Sequence, residues 1–553
     1  MPLPVQTVVP PGSRKQNTLS VSLPVHEGTV SGAESRAAAE NGSESGTTAA
    51  KVYLGFSLLL VTYFAFGLPN VDWSGDFWEH AAVVRELSLR PFAPRHPQFL
   101  SDAADQFYSP YAVGVGLLAR GLKLSPVDAL AVAGFVNGVL LLLTFPLLVR
   151  SLTGDSRASF LSLVFTLLLW GQDPWQWSGF LHLSTLLHIL PYPSTFATAL
   201  SFACCGLYAR YVETGRVSVL ACMVMLAVVA TITHPTTAAA LAVVLAAIRL
   251  GRGPLRPARI DVPLAPGVMT AVIALAVWPY FPILELAAGD SSYRAEFHAD
   301  CHELYESILR RTFPIIPGIL LVVWRARKNL RDPLWLSFLG LSAAYAWGWA
   351  SGVLQFGRML PWVVLTIHVA VADWFTLQLC AEQCTPRQHW WTRSLQAGLV
   401  LGLVAAAAFS QAIAGMEPLR GRSEPKRFEG YVEIARHIQH DDVVLGDTQS
   451  SWVIPALGGR SIAADHPQAF IADHDERRRD VAMFLDPATP AEERQEIIEA
   501  YDVRWILLNR NSSEVSGSVL QALEQFGEVV DQVGSLILIE VAEGARTGSP
   551  AAE

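Results

Sequence analysis

From Val52 onward the sequence is a succession of apolar runs, each near the roughly 20 residues that an upright helix needs to cross about 30 Å of hydrocarbon. The runs occupy 52–69, 127–149, 156–171, 190–210, 217–233, 236–249, 263–284, 309–324, 333–352, 359–380 and 393–415, eleven in all. Lipid offers no partner to a free backbone amide, so such a chain folds as a polytopic helical membrane protein. Composition agrees: 16% of the residues are charged, against about 25% in soluble domains. Several runs, 236–249 above all, are short for an upright span and suit half-helices or re-entrant pieces. A net charge of −9, with no basic run beside an aromatic ladder, excludes a nucleic-acid partner.

Residues 1–50 are rich in Ser, Thr, Ala, Glu, Gly and Pro and read as a disordered tail, as do 546–553. Six cysteines are too few to staple a chain of this size. Cys204, Cys205, Cys222 and Cys380 lie in or beside apolar runs with Cys384 close by, and Cys301 stands in a polar loop. The short basic loops fix an orientation. Arg150 to Arg157, Arg210 to Arg216, Arg249 to Arg259, the group Arg325, Arg327, Lys328 and Arg331, and Arg387 with Arg393 alternate with the spans, so all can be cytoplasmic at once. The N-terminus is then cytoplasmic. The loops 70–126, 172–189, His234-Pro235, 285–308 and 353–358 face outward, together with everything after Met416.

Residues 417–545 hold about half of the acidic residues and alternate short apolar strands with amphipathic helices. Helices over Phe428–Gln439 and Pro490–Ala500 and strands over Asp442–Gly446, Val503–Asn509 and Ser535–Val541 fit an extracytoplasmic α/β domain. The Gly458-Gly459 pair lacks the strand and helix that a phosphate-binding glycine loop requires.

The outward face carries the unusual chemistry. Val71-Asp72-Trp73-Ser74-Gly75-Asp76-Phe77-Trp78-Glu79-His80 places three carboxylates and an imidazole directly after the first span. Phe77 to Leu89 is amphipathic at helical spacing, a helix along the interface, with Asp76 at or just before its N-terminus. There Asp76 can be a cap for the free N–H groups or a general base. The same loop continues with Arg95-His96-Pro97-Gln98-Phe99, Asp102 to Asp105 and Phe107-Tyr108-Ser109-Pro110-Tyr111. Aromatic faces beside fixed polar groups are what sugar-binding clefts use.

A first span followed at once by a long outward loop with an Asp motif and an interface helix resembles the GT-C superfamily of membrane glycosyltransferases. The Tyr108-Ser109-Pro110-Tyr111 run, the segment Trp170 to Gly179, the Leu190-Pro191-Tyr192-Pro193-Ser194 turn and Thr233-His234-Pro235 look like an uncharacterised bacterial branch of it, over about 50–415. The resemblance implies a polyprenyl-phosphate-linked sugar as donor, a cell-envelope glycan, lipid or protein as acceptor, and transfer on the outer face. It also implies an Asp of the first outward loop as base. Asp76 matches best by position and Asp72 second, with Glu79 and His80 three and four residues on in place of an adjacent acidic pair. A divalent cation is a possible cofactor; no metal ligands are assigned.

The chemistry needs positive charge on the departing phosphate. Arg358, in Gln355-Phe356-Gly357-Arg358 at the outer boundary, suits it, as do Arg310 and Arg311 at the start of the eighth span; the alternative for all three is snorkelling anchorage. His234, Tyr192 and Tyr108 are further candidates to contact substrate, with a structural role as the alternative for His234. His182 and His188, six apart, do not share a helix face. His298 and His302 at i and i+4 with Glu303 lack the HExxH pattern and read as a solvated acidic loop. The rival classes are a transporter or flippase, for which paired halves with charges at mid-span are expected and not found, and a non-catalytic envelope-assembly protein, which gives no reason for the first-loop carboxylates.

Overall fold

The computed structural model describes residues 32–254, 261–288, 301–382, 428–464 and 468–546, together with 405, 409, 411, 413–419 and 466. Residues 1–48 and 49–553 are two compact units. Helix α1 (Gly32–Gly67) begins inside the stretch that composition reads as an unstructured tail; the run Ala37-Ala38-Ala39 has the highest intrinsic helix propensity. The membrane bundle and the sheet domain both lie within 49–553.

Among the described residues four helical stretches are long and apolar enough to cross a membrane: Gly46–Asn70, Pro126–Thr153, Pro235–Arg252 and Leu354–Gln378. The other expected spans that fall on described residues are helical but shorter or less apolar, and the run 393–415 lies almost wholly outside the described residues. After α1 come α2 (Phe77–Leu89), α3 (Pro110–Leu122), α4 (Pro126–Thr153), α5 (Ser159–Leu168), α6 (Leu183–Ile189), α7 (Pro193–Thr214), α8 (Val217–Thr233) and α9 (Pro235–Arg252). The helix Leu264–Ala276 is next, then Gly318–Lys328, Pro333–Ser351 and Leu360–Glu382. Local chemistry sets several of these boundaries. Proline at the first turn starts α3, α4, α7 and α9, where its missing N–H costs nothing. Left-handed Gly154 and Gly215 end α4 and α7. The helix α4 packs on α7, and α7 on α8 and α9.

The basic loops that fall on described residues gather at one end of this bundle, while Arg387 and Arg393 lie outside the described residues. Arg252 reaches Glu213 at 2.8 Å and the Arg150 carbonyl at 2.6 Å, Arg331 donates to the Leu250 carbonyl at 2.7 Å, and Arg325 bridges Asp332 and Asp373. At the opposite end the segments before α6 and before Leu360–Glu382 meet, Arg358 donating to Ser178 Oγ at 3.3 Å. There Gly171 lies against the chain of Arg310 and Arg311, with Gly171 N donating to Arg311 O at 2.9 Å. A Cβ on Gly171 would stand 2.1 Å from the Arg310 carbonyl, so only glycine permits the approach.

The C-terminal part is a five-stranded sheet, order β2-β1-β3-β5-β4, from β1 (Val443–Gly446), β2 (Arg460–Ser461), β3 (Val503–Asn509), β4 (Gly527–Val533) and β5 (Leu536–Val541). Strands β2, β1 and β3 are parallel, and β5 pairs antiparallel with β3 and β4. The register sets Ile506 opposite Ile539 and Leu507 opposite Leu538. Alternation along β3 sends Ile506 and Leu508 to one face, packed with Phe484 and Ile498, and Trp505 and Leu507 to the other, packed with Ile434 and Ile454. The latter face carries the helix Thr448–Leu457, which packs in turn on α2. The interface helix is thus enclosed between the bundle and the sheet layer.

Candidate active site at the N-terminus of the interface helix

Gly75 at φ +64° turns the chain into α2, and Trp78 N closes that turn on the Gly75 carbonyl at 3.2 Å. Asp76 occupies the N-cap position, but its side chain makes no capping hydrogen bond. Its Oδ1 instead accepts from the Tyr192 hydroxyl at 2.6 Å. Tyr192 is held in place as the residue before α7, with Pro193 fixing the first turn. Capping, the alternative reading for Asp76, is therefore not the job its carboxylate does.

Residues 76, 79 and 80 fall on one side of α2. The buried His80 ring stands edge-on to Tyr192 at 5.2 Å and to Phe107 at 5.1 Å. Burial lowers its pKa, and the nearby charges of Asp76 and Glu79 oppose that shift. Glu79 is 1% exposed. Its Oε2 accepts from His466 Nδ1 at 2.9 Å, and its Oε1 from the Gln98 and Gln468 amides at 3.0 Å each. Burial pushes this carboxyl up, but the hydrogen bond and charge of His466, then His80 and Gln98, leave it below the ordinary carboxylate range. Asp72 is half-buried on the approach to the helix.

His234 caps α9: its Nδ1 accepts from Thr237 N at 3.3 Å, which leaves the ring proton on Nε2. Burial first, then the charges of Arg358 and His80, push its pKa down to about 3. Arg358 lies in the short turn Leu354–Met359 before Leu360–Glu382. Its guanidinium sits 4.3 Å over the Trp177 ring and donates to Ser178 Oγ at 3.3 Å. The Trp177 indole is fixed in turn by Nε1–H donation to Glu303 Oε2 at 2.8 Å.

The remaining candidates have other partners. Arg310 pairs with Asp173. Arg311 reaches Glu303 at 3.1 Å and lies 5.0 Å over Trp175. Each already has a carboxylate beside it. Tyr108 is buried, and its hydroxyl donates to the Arg95 carbonyl inside the first loop. His302 pairs with Glu306 at 2.9 Å on the surface, while His298 lies outside the described residues. Among the described residues no three His, Cys, Asp or Glu side chains converge as a cation's ligand set. Tyr192 engages Asp76, and three donors engage Glu79.

Sequence reasoning missed the contribution of the sheet domain. His466, Gln468 and Arg460 come to α2 from more than 370 positions away. No local motif marks them, since their role exists only where the two segments meet. Trp177 and Glu303 were legible as an outward aromatic segment and an acidic loop, but not as a pair.

No protein-family model matches this sequence, and no curated protein matches it. Solved structures do share its fold. The oligosaccharyltransferase AglB from Archaeoglobus fulgidus, in complex with an inhibitory peptide and a dolichol-phosphate, superposes with a TM-score of 0.53 at 12% identity, over 91% of this chain and 77% of that one. The oligosaccharyltransferase of the same organism in its apo form gives 0.51 at 11% identity, over 86% and 72%. The chain therefore shares the fold of these solved structures.

Proposed function

We propose that this protein is a GT-C glycosyltransferase that transfers a sugar from a polyprenyl-phosphate donor to a cell-envelope acceptor on the outer face of a bacterial inner membrane. The observation that carries the reading is the Asp76 carboxylate. It is withdrawn from helix capping and oriented by Tyr192, at the end of the bundle opposite the basic loops. The shared fold supports the class of reaction, and the dolichol-phosphate held by AglB supports the class of donor.

In this reading the membrane part makes eleven crossings, with the N-terminus inside and the sheet domain outside. The acceptor hydroxyl gives its proton to Asp76 as its oxygen attacks the anomeric carbon. The bond from that carbon to the phosphate oxygen breaks, and Arg358 receives the charge that develops on the departing phosphate. Trp177 and Ser178 hold the guanidinium for this task. His234 and His80, kept neutral by burial, line the site without adding charge. A divalent cation, if the protein uses one, would assist the departing phosphate beside Arg358.

The test is transfer by membranes containing the full chain, supplied with undecaprenyl-phosphate charged in turn with glucosyl, mannosyl and arabinosyl groups. Asp76→Asn should lose about 10²–10⁴ in rate, the usual contribution of a positioned base, and Asp72→Asn much less. Normal turnover by Asp76→Asn removes Asp76 from the chemistry; a loss confined to Asp72→Asn moves the role there. Full inhibition of the wild type by a chelator, reversed by a divalent cation, would assign a cation to the reaction; full activity in the chelator would leave the chemistry to the side chains alone.

A further inference from the structure

Glu79 is a buried carboxylate in the first turn of the interface helix, next to His80 and three residues from Asp76, and its contacts leave it little freedom. One of its three donors, Gln98, belongs to the same outward loop. The other two, His466 Nδ1–H and the Gln468 amide, come from the segment after β2 in the sheet domain. That segment is itself locked to the loop: Ser461 N donates to the Gln98 carbonyl at 2.7 Å, and Gln468 Nε2 also approaches Gln98 Oε1 at 3.3 Å. On the other side of His466 the Trp452 ring lies 4.8 Å away. A Cβ on Gly75 would meet that same indole at 3.6 Å, so Trp452 rests against the turn that presents Asp76.

A helix whose first turn is held only by its own backbone frays and rotates, since its first four N–H groups lack intrahelical partners. Asp76 provides no side-chain cap here, so the orientation of that turn must come from elsewhere. The Tyr192 hydroxyl holds Asp76 from the bundle side. Glu79 holds the same turn from the sheet side.

We infer that His466 and Gln468 are positioning residues for Asp76, acting through Glu79, so that docking of the sheet domain completes the catalytic geometry of the membrane part. The inference rests on the reading of Asp76 as the base. The sheet domain is on this view a component of the site rather than a passenger on it. Its contribution is geometric: the imidazole supplies one N–H to a buried carboxylate and takes no proton from substrate. Misplacement of a reacting group by about 1 Å costs on the order of 10² in rate, and that sets the scale of the effect.

The experiment uses the full chain in membranes with the three charged undecaprenyl phosphates. His466→Ala should lower kcat by about 10- to 100-fold with KM for the donor unchanged. His466→Asn, whose side-chain amide sits near the place of Nδ1–H, should recover most of that loss. In the Asp76→Asn background His466→Ala should add no further loss, because the group it positions has gone. Near-normal turnover of His466→Ala overturns the inference. So does an Asn variant as impaired as the Ala one, which would make the imidazole itself the reagent, and so does a fully additive double variant. Should His466→Ala fail to accumulate, Gln468→Leu, which removes one donor to Glu79, decides: a several-fold loss in kcat at constant KM is expected, and full activity refutes. Failure of the base assignment is a separate result, seen as normal turnover of Asp76→Asn alone.

Discussion

Replacing Arg460 should release the sheet domain from the membrane part, and the structure gives the size of the effect. Arg460 is fully buried, with no exposed surface. Its Nη2 reaches Glu86 Oε2 at 2.6 Å, its Nε reaches Asp441 Oδ1 at 2.9 Å, and its Nη1 donates to the His96 and Pro97 carbonyls at 2.5 and 2.9 Å. Arg460→Met keeps the bulk and removes every donor. Breaking one half of a buried pair leaves an uncompensated charge and costs about 3–5 kcal/mol. Glu86 keeps Arg90 at 3.2 Å and the Arg95 amide at 3.0 Å, so the lower end, about 3 kcal/mol, is expected for its share. The two orphaned carbonyls add to this, at about 1–3 kcal/mol for each that water fails to reach. Replacing Glu86 as well, Arg460→Met with Glu86→Met, should recover the Glu86 share of the loss, because an apolar replacement of a buried ion pair is close to neutral. Amide hydrogen exchange of β1, β2 and α2 in the full chain reads the local opening free energy directly. A cost for Arg460→Met below about 1 kcal/mol, the scale of a surface pair, or a double variant as unstable as the sum of the singles, would refute the argument.

Three further outcomes are expected. Arg358→Ala should weaken donor use by one to two powers of ten, the equivalent of losing a charge-assisted contact worth about 1.5–3 kcal/mol; an unchanged KM for the charged undecaprenyl phosphates would return Arg358 to membrane anchorage. Acidification should destabilise the fold. Burial lowers His96 and His234 to about 3 and His182 to about 4. Unfolding lets all three take up protons below about pH 6.5, so stability falls as pH drops from there toward those values. Asp105, raised by burial to about 7, has the opposite slope between about pH 4 and 7. Three imidazoles outweigh one carboxylate, and a melting temperature in detergent that rises from pH 7 to pH 5 would contradict this. A cysteine at exposed Glu493 should react with a membrane-impermeant maleimide in intact cells; labelling only after lysis would reverse the orientation.

The sequence by itself determined whatever rests on periodicity and local chemistry. Spans 127–149 and 217–233 correspond to Pro126–Thr153 and Val217–Thr233. Apolar runs in the last third correspond to Val443–Gly446, Val503–Asn509 and Leu536–Val541, because a strand buried on both faces reads as a continuous run. Strand β4 escaped notice because Glu528, Asp531 and Gln532 interrupt it on an open edge, and the helix Thr448–Leu457 because Pro455 lies inside it. The concentration of carboxylates after the first span was equally legible, since charge at a membrane boundary stands out in one dimension. Which of those carboxylates is available to substrate was not. Asp76 and Glu79 look alike in the sequence. Tertiary structure alone gives Asp76 a single tyrosine hydroxyl and closes Glu79 within three donors, two of them from the far end of the chain. Arg310, Arg311 and Arg358 are three similar cations at one boundary. Asp173 and Glu303 engage the first two, and Trp177 presents the third. Local spacing specifies what a residue is able to do, and the partners that decide whether it does so arrive only when distant segments pack together.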